Sequence, residues 1–334
     1  MPVDLVLLAQ PRGFCAGVEM AIKALAWMVK VHEPPVYCYH EIVHNRLVVD
    51  RFRELGVVFV NDVSEVPQGA PLMLSAHGTA PEVVAAARAH GGTVVDAVCP
   101  LVTKVHHEVK VRAGKGYTVL YIGHEGHDEA VGTMAVAPES VVLVEHEEDV
   151  DGLDLPSDTP VALLAQTTLA MQDWAGIRDK ANDRFPELWM PGRSDLCFAT
   201  TNRQTALQAI ADRADAVIVI GSENSSNTRA LEKTARAAGC KRVFRVNDAD
   251  EIPDDLSGIV GVTAGASAPE ELVESVLARL APVHGVEPVE VTHEDEYFPP
   301  PRELRTLLSE LGLGEALADD RSISASEVLA ALRP

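Results

Sequence analysis

The chain has 334 residues, 47% of them hydrophobic, and a formal net charge of −22. That length holds two or three domains with real cores. The acidity excludes a nucleic-acid partner and an anionic membrane surface, both of which need Lys and Arg in quantity, but it leaves room for a small anionic ligand gripped by a local set of donors.

The N-terminal apolar stretch is short, lacks a basic flank and runs into Pro11-Arg12-Gly13, so it reads as a first strand rather than a signal peptide. No apolar run approaches the roughly 20 residues that span a bilayer, and the cytoplasm is the expected location. Apolar, β-branched runs then recur in chain order: Leu5–Leu8, Leu72–Leu74, Thr118–Ile122, Val161–Leu164, Ala216–Ile220 and Gly258–Val262. Between them lie Ala-rich amphipathic stretches such as 81–90, 203–214 and 227–239. Strands alternating with helices predict an α/β fold with largely parallel sheets. After Phe298 the pattern changes. Pro299-Pro300-Pro301 predicts a linker or wrapping segment, and 302–313 and 324–332 predict two short amphipathic helices around a polar loop, Asp319-Asp320-Arg321. This end of the chain reads as a surface tail without chemistry.

A weak internal repeat organises the rest. Cys15, Cys99 and Cys197 each follow a short extended segment and open a helix-like run, over Ala16–Met28, Pro100–Ala113 and Phe198–Arg213. Strands at Val36–Tyr39, Thr118–Ile122 and Ala216–Ile220 begin 21, 19 and 19 residues after the respective Cys. Polar residues follow at matching offsets: His44, His127 and Ser225-Ser226-Asn227 at 29, 28 and 28–30, then His77, Thr167 and Ser267 at 62, 68 and 70. Three α/β units over 1–98, 99–196 and 197–298, with 299–334 wrapping them, would aim these groups at one point, since ligands of open α/β sheets sit beyond the carboxyl ends of the strands.

Five widely spaced cysteines make a poor disulfide framework. Three thiols from distant segments suit an iron–sulfur cluster or a zinc ion; the Cys-x-x-Cys pairs usual in structural zinc sites are absent. Cys38 and Cys240 lack the repeat context and read as buried apolar residues. Ser225 to Asn227, placed before a helix, fit either an ordinary N-cap or a phosphate grip. In Gly123-His124-Glu125-Gly126-His127-Asp128-Glu129, His127 and Glu129 could form a proton-delivery pair, whereas a His-x-x-His metal motif would need a third ligand that the neighbourhood does not supply. The Thr167 hydroxyl could orient a substrate hydroxyl or merely close a turn.

Nine ordered motifs resemble one family. They are Pro11-Arg12-Gly13-Phe14-Cys15-Ala16-Gly17-Val18, His40-Glu41-Ile42-Val43-His44-Asn45, Ser75-Ala76-His77-Gly78, Cys99-Pro100-Leu101-Val102-Thr103-Lys104-Val105-His106, Gly123-His124-Glu125-Gly126-His127, Gln166-Thr167-Thr168-Leu169, Cys197-Phe198-Ala199-Thr200-Thr201-Asn202-Arg203-Gln204, Ser225-Ser226-Asn227 and Val262-Thr263-Ala264-Gly265-Ala266-Ser267-Ala268-Pro269. Over about residues 4–305 the chain resembles the 4-hydroxy-3-methylbut-2-enyl diphosphate reductases, which perform the last step of the non-mevalonate isoprenoid pathway.

The resemblance implies a trefoil of three pseudo-equivalent α/β units around a central 4Fe–4S cluster, with Cys15, Cys99 and Cys197 as its ligands. It implies that His44, His77, Ser225, Ser226, Asn227 and Ser267 grip the diphosphate, that His127 touches the substrate, and that Thr167 and Glu129 flank its hydroxyl, with Glu129 as proton source. It also implies a ferredoxin or flavodoxin electron donor, for which Arg12, Lys104, Lys110, Arg112 and Arg203 are candidate docking residues; a monomer is the default expectation. Met20, Lys23 and Phe198 depart from the residues usual in the family, Phe198 costing a hydroxyl near the cluster, and the tail beyond 305 is longer. Outside the family, an iron–sulfur sensor and a zinc-dependent phosphohydrolase are the alternatives. The first fits the acidity poorly, and the second leaves the three cysteines unexplained.

Overall fold

The computed structural model describes residues 2–317 and 320–332. In chain order the first stretch forms β1 (Val3–Gln10), α1 (Ala16–Val31), β2 (Val36–Tyr39), α2 (Arg46–Glu54), β3 (Val57–Val60), β4 (Leu72–Leu74), α3 (Pro81–Ala89) and β5 (Val94–Asp96). The second forms α4 (Pro100–Gly114), β6 (Thr118–Ile122), α5 (Asp128–Met134), β7 (Val141–Val144), α6 (Glu147–Gly152), β8 (Val161–Ala165) and α7 (Met171–Arg184). The third forms α8 (Phe198–Ala211), β9 (Ala216–Ile220), α9 (Ser226–Ala237), β10 (Val243–Val246), β11 (Gly258–Ala264), α10 (Glu270–Leu280) and β12 (Val286–Glu290), and α11 (Arg302–Glu310) and α12 (Ala325–Ala331) complete the chain. No helix among the described residues is long and apolar enough to cross a membrane.

The strands make three parallel sheets, ordered β3-β2-β4-β5, β7-β6-β8 and β10-β9-β11-β1-β12. In each, the strand that follows the helix opened at a cysteine lies between the next two strands: β2 between β3 and β4, β6 between β7 and β8, β9 between β10 and β11. Strands covered on both faces are apolar throughout, as in β8 and β9, every residue of which is buried. The repeat seen in the cysteine offsets is therefore a repeat of sheet topology.

The first strand departs from a simple division of the chain. β1 does not pair within its own segment; it lies in the third sheet, between β11 and β12. The same rule holds at Cys99, which follows β5 on the edge of the first sheet. The chain finishes one unit and then passes through a cysteine into the next, so the strand before Cys15 closes the third unit, not the first. Three backbone bonds mark these crossings: Cys15 N–H to Ala266 O (3.3 Å), Cys99 N–H to Ala76 O (3.0 Å) and Cys197 N–H to Thr167 O (3.0 Å).

The C-terminal helices correct the expectation of a surface tail. Leu304, Leu308, Ala325 and Leu329 are buried in one core with α1 and β2. Their amphipathic stripes bury apolar area against the first unit, which an unpacked tail would leave in water. Ala325 N–H bonds to Glu19 Oε2 (2.6 Å) and Lys23 Nζ to Asp320 O (2.9 Å), tying this strap to the helix that starts at Cys15. Of the polar loop around it, Asp319 lies outside the described residues.

Candidate active site

All three repeat cysteines sit at helix N-caps: Cys15 on α1, Cys99 on α4 and Cys197 on α8. Helix N-termini present unpaired N–H groups and a partial positive charge, which favours a thiolate. The Cys197 sulfur accepts from Thr200 N–H at 3.2 Å. Burial, then the Cys15 sulfur, pushes Cys99 well above the ordinary thiol range, and the same causes push Cys197 up to about 11. Gly17 keeps the space between the sulfurs clear, because a Cβ there would lie 2.8 Å from Cys99 Sγ and 4.0 Å from Cys15 Sγ. Cys38 and Cys240 are buried elsewhere, within apolar clusters.

One cavity collects the whole sequence-predicted set: Cys15, Cys99, Cys197, His44, His77, His127, Glu129, Thr167, Ser225, Ser226, Asn227 and Ser267. Phe198 and Phe298 also line it, their rings edge to face at 6.5 Å. The loops after strands position the polar groups. His44 and His77 follow β2 and β4 and stack with ring centroids 3.8 Å apart, while His127, the N-cap of α5, meets them edge-on at 5.3 and 6.0 Å. His44 Nε2, His77 Nδ1 and His127 Nε2 are buried with no hydrogen-bond partner among the described residues. Burial holds His77 well below its ordinary range and His127 at about 3, with the neighbouring imidazoles adding to both effects.

The third unit supplies hydroxyls and an amide. Ser225 caps α9, accepting from Thr228 N–H at 3.3 Å, so it is an N-cap as well as a cavity residue. Ser267 Oγ donates to His44 O (2.8 Å), which ties the third unit to the first, and Asn227 Oδ1 accepts from Ala266 N–H (2.8 Å) within the third unit. In the second unit Glu129 is buried on the first turn of α5 and takes two bonds from Thr167. Burial outweighs them and pushes its carboxyl up to about 7.

Two neighbours of this set carry no role in the motif reading. Asp128 faces three histidines of the first unit; its only sequence signal is an acidic side chain between His127 and Glu129. Arg203 was a docking candidate, yet it is fully buried: its guanidinium bonds Gly13 O, Phe14 O, Ala199 O and Glu294, bracing the Cys15 loop. The other candidates divide. Arg12 is paired with Glu270, Arg112 stacks over Trp189, and Lys104, though exposed, pairs with the buried Asp195 at 3.5 Å, leaving Lys110 exposed on α4.

Fold and site together define a three-unit α/β enzyme in which one cavity collects three helix-capping thiols, three histidines and a buried carboxyl. Residues 6–281 match the family model described as LytB protein. The chain is 47% identical over 312 residues to the 4-hydroxy-3-methylbut-2-enyl diphosphate reductase of Rhodopirellula baltica, covering 91% of this chain and 97% of the relative. It is 46% identical over 306 residues to the 4-hydroxy-3-methylbut-2-enyl diphosphate reductase 2 of Mycobacterium tuberculosis (strain ATCC 25618 / H37Rv), covering 90% and 91%. Among solved structures, the E-1-hydroxy-2-methyl-but-2-enyl-4-diphosphate reductase of Plasmodium falciparum superposes with a TM-score of 0.89 at 33% identity, covering 93% of this chain and all of that one. The chain belongs to the LytB family of 4-hydroxy-3-methylbut-2-enyl diphosphate reductases.

Proposed function

We propose that this enzyme reductively dehydroxylates (E)-4-hydroxy-3-methylbut-2-enyl diphosphate to isopentenyl and dimethylallyl diphosphate, the last step of the non-mevalonate pathway, and does so in the cytoplasm as a monomer. The observation that carries the reading is the single cavity in which three helix-capping thiols face a triad of histidines and a buried carboxyl.

The donor set fits a 4Fe–4S cluster on Cys15, Cys99 and Cys197: three thiols at positive helix ends, with a glycine leaving room between them. When bound, that cluster supplies electrons one at a time and a Lewis-acidic iron. The rest of the work falls to side chains. His44, His77 and His127 line the cavity, where their rings would donate to diphosphate oxygens, joined by Ser225, Ser226, Asn227 and Ser267. Phe198 and Phe298 shelter the hydrocarbon part from water. The reaction breaks one C–O bond and forms one C–H bond, consuming two electrons and two protons, one proton going to the departing oxygen, which leaves as water, and the other to an allylic carbon. Glu129, protonated near neutrality, gives its proton to the departing oxygen, and Thr167 holds the carboxyl in place for that transfer. Electrons come from a ferredoxin or flavodoxin, which the exposed Lys104 and Lys110 would help seat.

The test is turnover of the hydroxylated diphosphate by anaerobically purified, iron-loaded protein with a chemical reductant. Formation of the two C5 diphosphates supports the reading. An iron-loaded protein that binds the substrate but leaves it unchanged overturns the enzyme assignment in favour of a sensor.

A further inference from the structure

Between β12, on the edge of the third sheet, and α11, packed in the core of the first unit, residues 292–301 form neither helix nor strand. Phe298 sits in this crossing. It lines the cavity and meets Phe198, the residue after Cys197, edge to face. A segment without a ladder or helical bonds keeps one position only where side chains hold it. Its two ends are held. Upstream, Glu294 Oε1 accepts from Arg203 at 3.0 Å and from Asn202 at 2.9 Å. Downstream, Pro300 and Pro301 are buried.

Between those ends the tail reaches in. Tyr297, the neighbour of Phe298, donates its hydroxyl to Asp320 Oδ2 at 3.0 Å. Arg321 Nη2 lies 3.2 Å from both carboxylate oxygens of Asp295, and its guanidinium lies 5.8 Å from the Tyr297 ring centroid. The Arg321 pair is exposed on both sides and contributes little, whereas Asp320 is buried. Asp320 is itself pinned to α1: its carbonyl accepts from the buried Lys23 at 2.9 Å, and a few residues on, Ala325 N–H bonds to Glu19 Oε2 at 2.6 Å. A cleft lined by Ala16, Glu19, Lys23, Tyr297 and Arg321 marks where the crossing, the tail and the start of α1 meet, one residue past Cys15.

We propose that Tyr297 and Asp320 are positioning residues that form a latch, through which the C-terminal tail holds Phe298 in the cavity wall and closes the thiol end of the cavity to oxidants from solvent. This rests on the reading of Cys15, Cys99 and Cys197 as a cluster site. Burial, then the bond to Asp320, pushes the Tyr297 phenol up to about 12, so it stays a donor across the neutral range. The apolar shell around a metal centre sets how far solvent reaches it. Dioxygen that reaches a cluster takes an electron from it, becoming superoxide, and the over-oxidised cluster breaks down. With the crossing closed, attack waits for a local opening, and its rate follows the open population.

The experiment mixes cluster-loaded protein, purified without oxygen, with air-saturated buffer and follows the decay of the cluster absorbance for wild type, Tyr297→Phe, Asp320→Ala and the double variant. Thermal unfolding of each is recorded alongside. A hydrogen bond to a carboxylate is worth about tenfold in an opening equilibrium, so each single variant should bleach about tenfold faster than wild type with its main unfolding transition unmoved. Both act through one bond, so the double variant should bleach no faster than the faster single. Val150→Ala empties a buried position on α6, in a core cluster of the second unit that holds no latch residue; it should melt lower yet bleach as wild type does. Wild-type bleaching in both single variants, or effects that multiply in the double variant, overturn the latch. So does a bleaching rate that follows the melting temperature across all the variants. Wild-type protein that holds no cluster overturns the cluster reading, and the latch with it.

Discussion

Thr167 gives both of its donors to Glu129: its backbone N–H meets Oε1 at 2.7 Å and its hydroxyl meets Oε2 at 2.9 Å. The pair crosses from the end of β8 to the first turn of α5, and Thr167 O also accepts the N–H of Cys197. One residue therefore links the buried acid to a helix that opens at one of the three cavity thiols.

Replacing Glu129 by Gln keeps shape and burial but removes the transferable proton. Iron content and pyrophosphate affinity should stay at wild-type levels while kcat drops roughly 10²–10⁴-fold, the usual worth of a general acid. Normal turnover in this variant would remove Glu129 from the mechanism. The same variant carries a stability signature. The folded carboxyl stands at about 7, above its ordinary 4.5, so the fold favours its protonated form. That contribution is complete below the unfolded value and is lost as pH rises through the folded one. E129Q should therefore melt above wild type near pH 8 and with it near pH 4, as followed by thermal unfolding.

Thr167→Val removes the hydroxyl bond and leaves the backbone bond. The lost bond favours the ionised carboxylate, so the Glu129 pKa rises further. A general acid works protonated, and kcat declines as pH rises through its pKa. In the variant that decline should move up by about one pH unit, since a hydrogen bond to a charged group is worth roughly 1.5–3 kcal/mol. A pH–rate profile with an unmoved alkaline limb would contradict the coupling.

Arg203→Met empties the guanidinium from beneath the Cys15 loop. Gly13 O and Phe14 O lose their donors and Glu294 its partner. Breaking one side of a buried ion pair costs on the order of 3–5 kcal/mol. The variant should melt lower and lose iron faster on exposure to air, measured by the decay of cluster absorbance, whereas exposed Arg302→Met should do neither.

Leu308→Ala tests the C-terminal strap. The side chain is fully buried against the first unit, and truncating a buried Leu costs roughly 2–5 kcal/mol. A loose tail would show no change in denaturant midpoint; the packed strap predicts a clear loss.

Much of this was legible from the sequence because the informative signals are local. A cysteine followed by a helical run predicts an N-cap, and all three repeat cysteines are one. Apolar runs such as Ala216–Ile220 mark buried parallel strands, and the polar residues beyond them gather in one cavity. What was not legible is long-range. Nothing near Leu5 says that its strand will pair with one starting at Gly258, because parallel partners are joined by no turn signal. Arg203 reads as a surface cation until its helix is packed against the Cys15 loop. The stripe of Leu304 and Leu308 shows amphipathicity but not which surface receives it. Asp128 gains its significance only when its unit is docked on the loops bearing His40, His44 and His77.

The most direct test of the whole account is the iron and acid-labile sulfide content of protein purified without oxygen, for wild type and for each cysteine replaced singly by alanine. Wild type, Cys38→Ala and Cys240→Ala should hold about four irons and four sulfides per chain with a broad brown absorption, and Cys15→Ala, Cys99→Ala and Cys197→Ala should each lose the intact cluster. Zinc without sulfide, or full iron and sulfide in any of those last three variants, would contradict the three-cysteine centre on which the proposed chemistry depends.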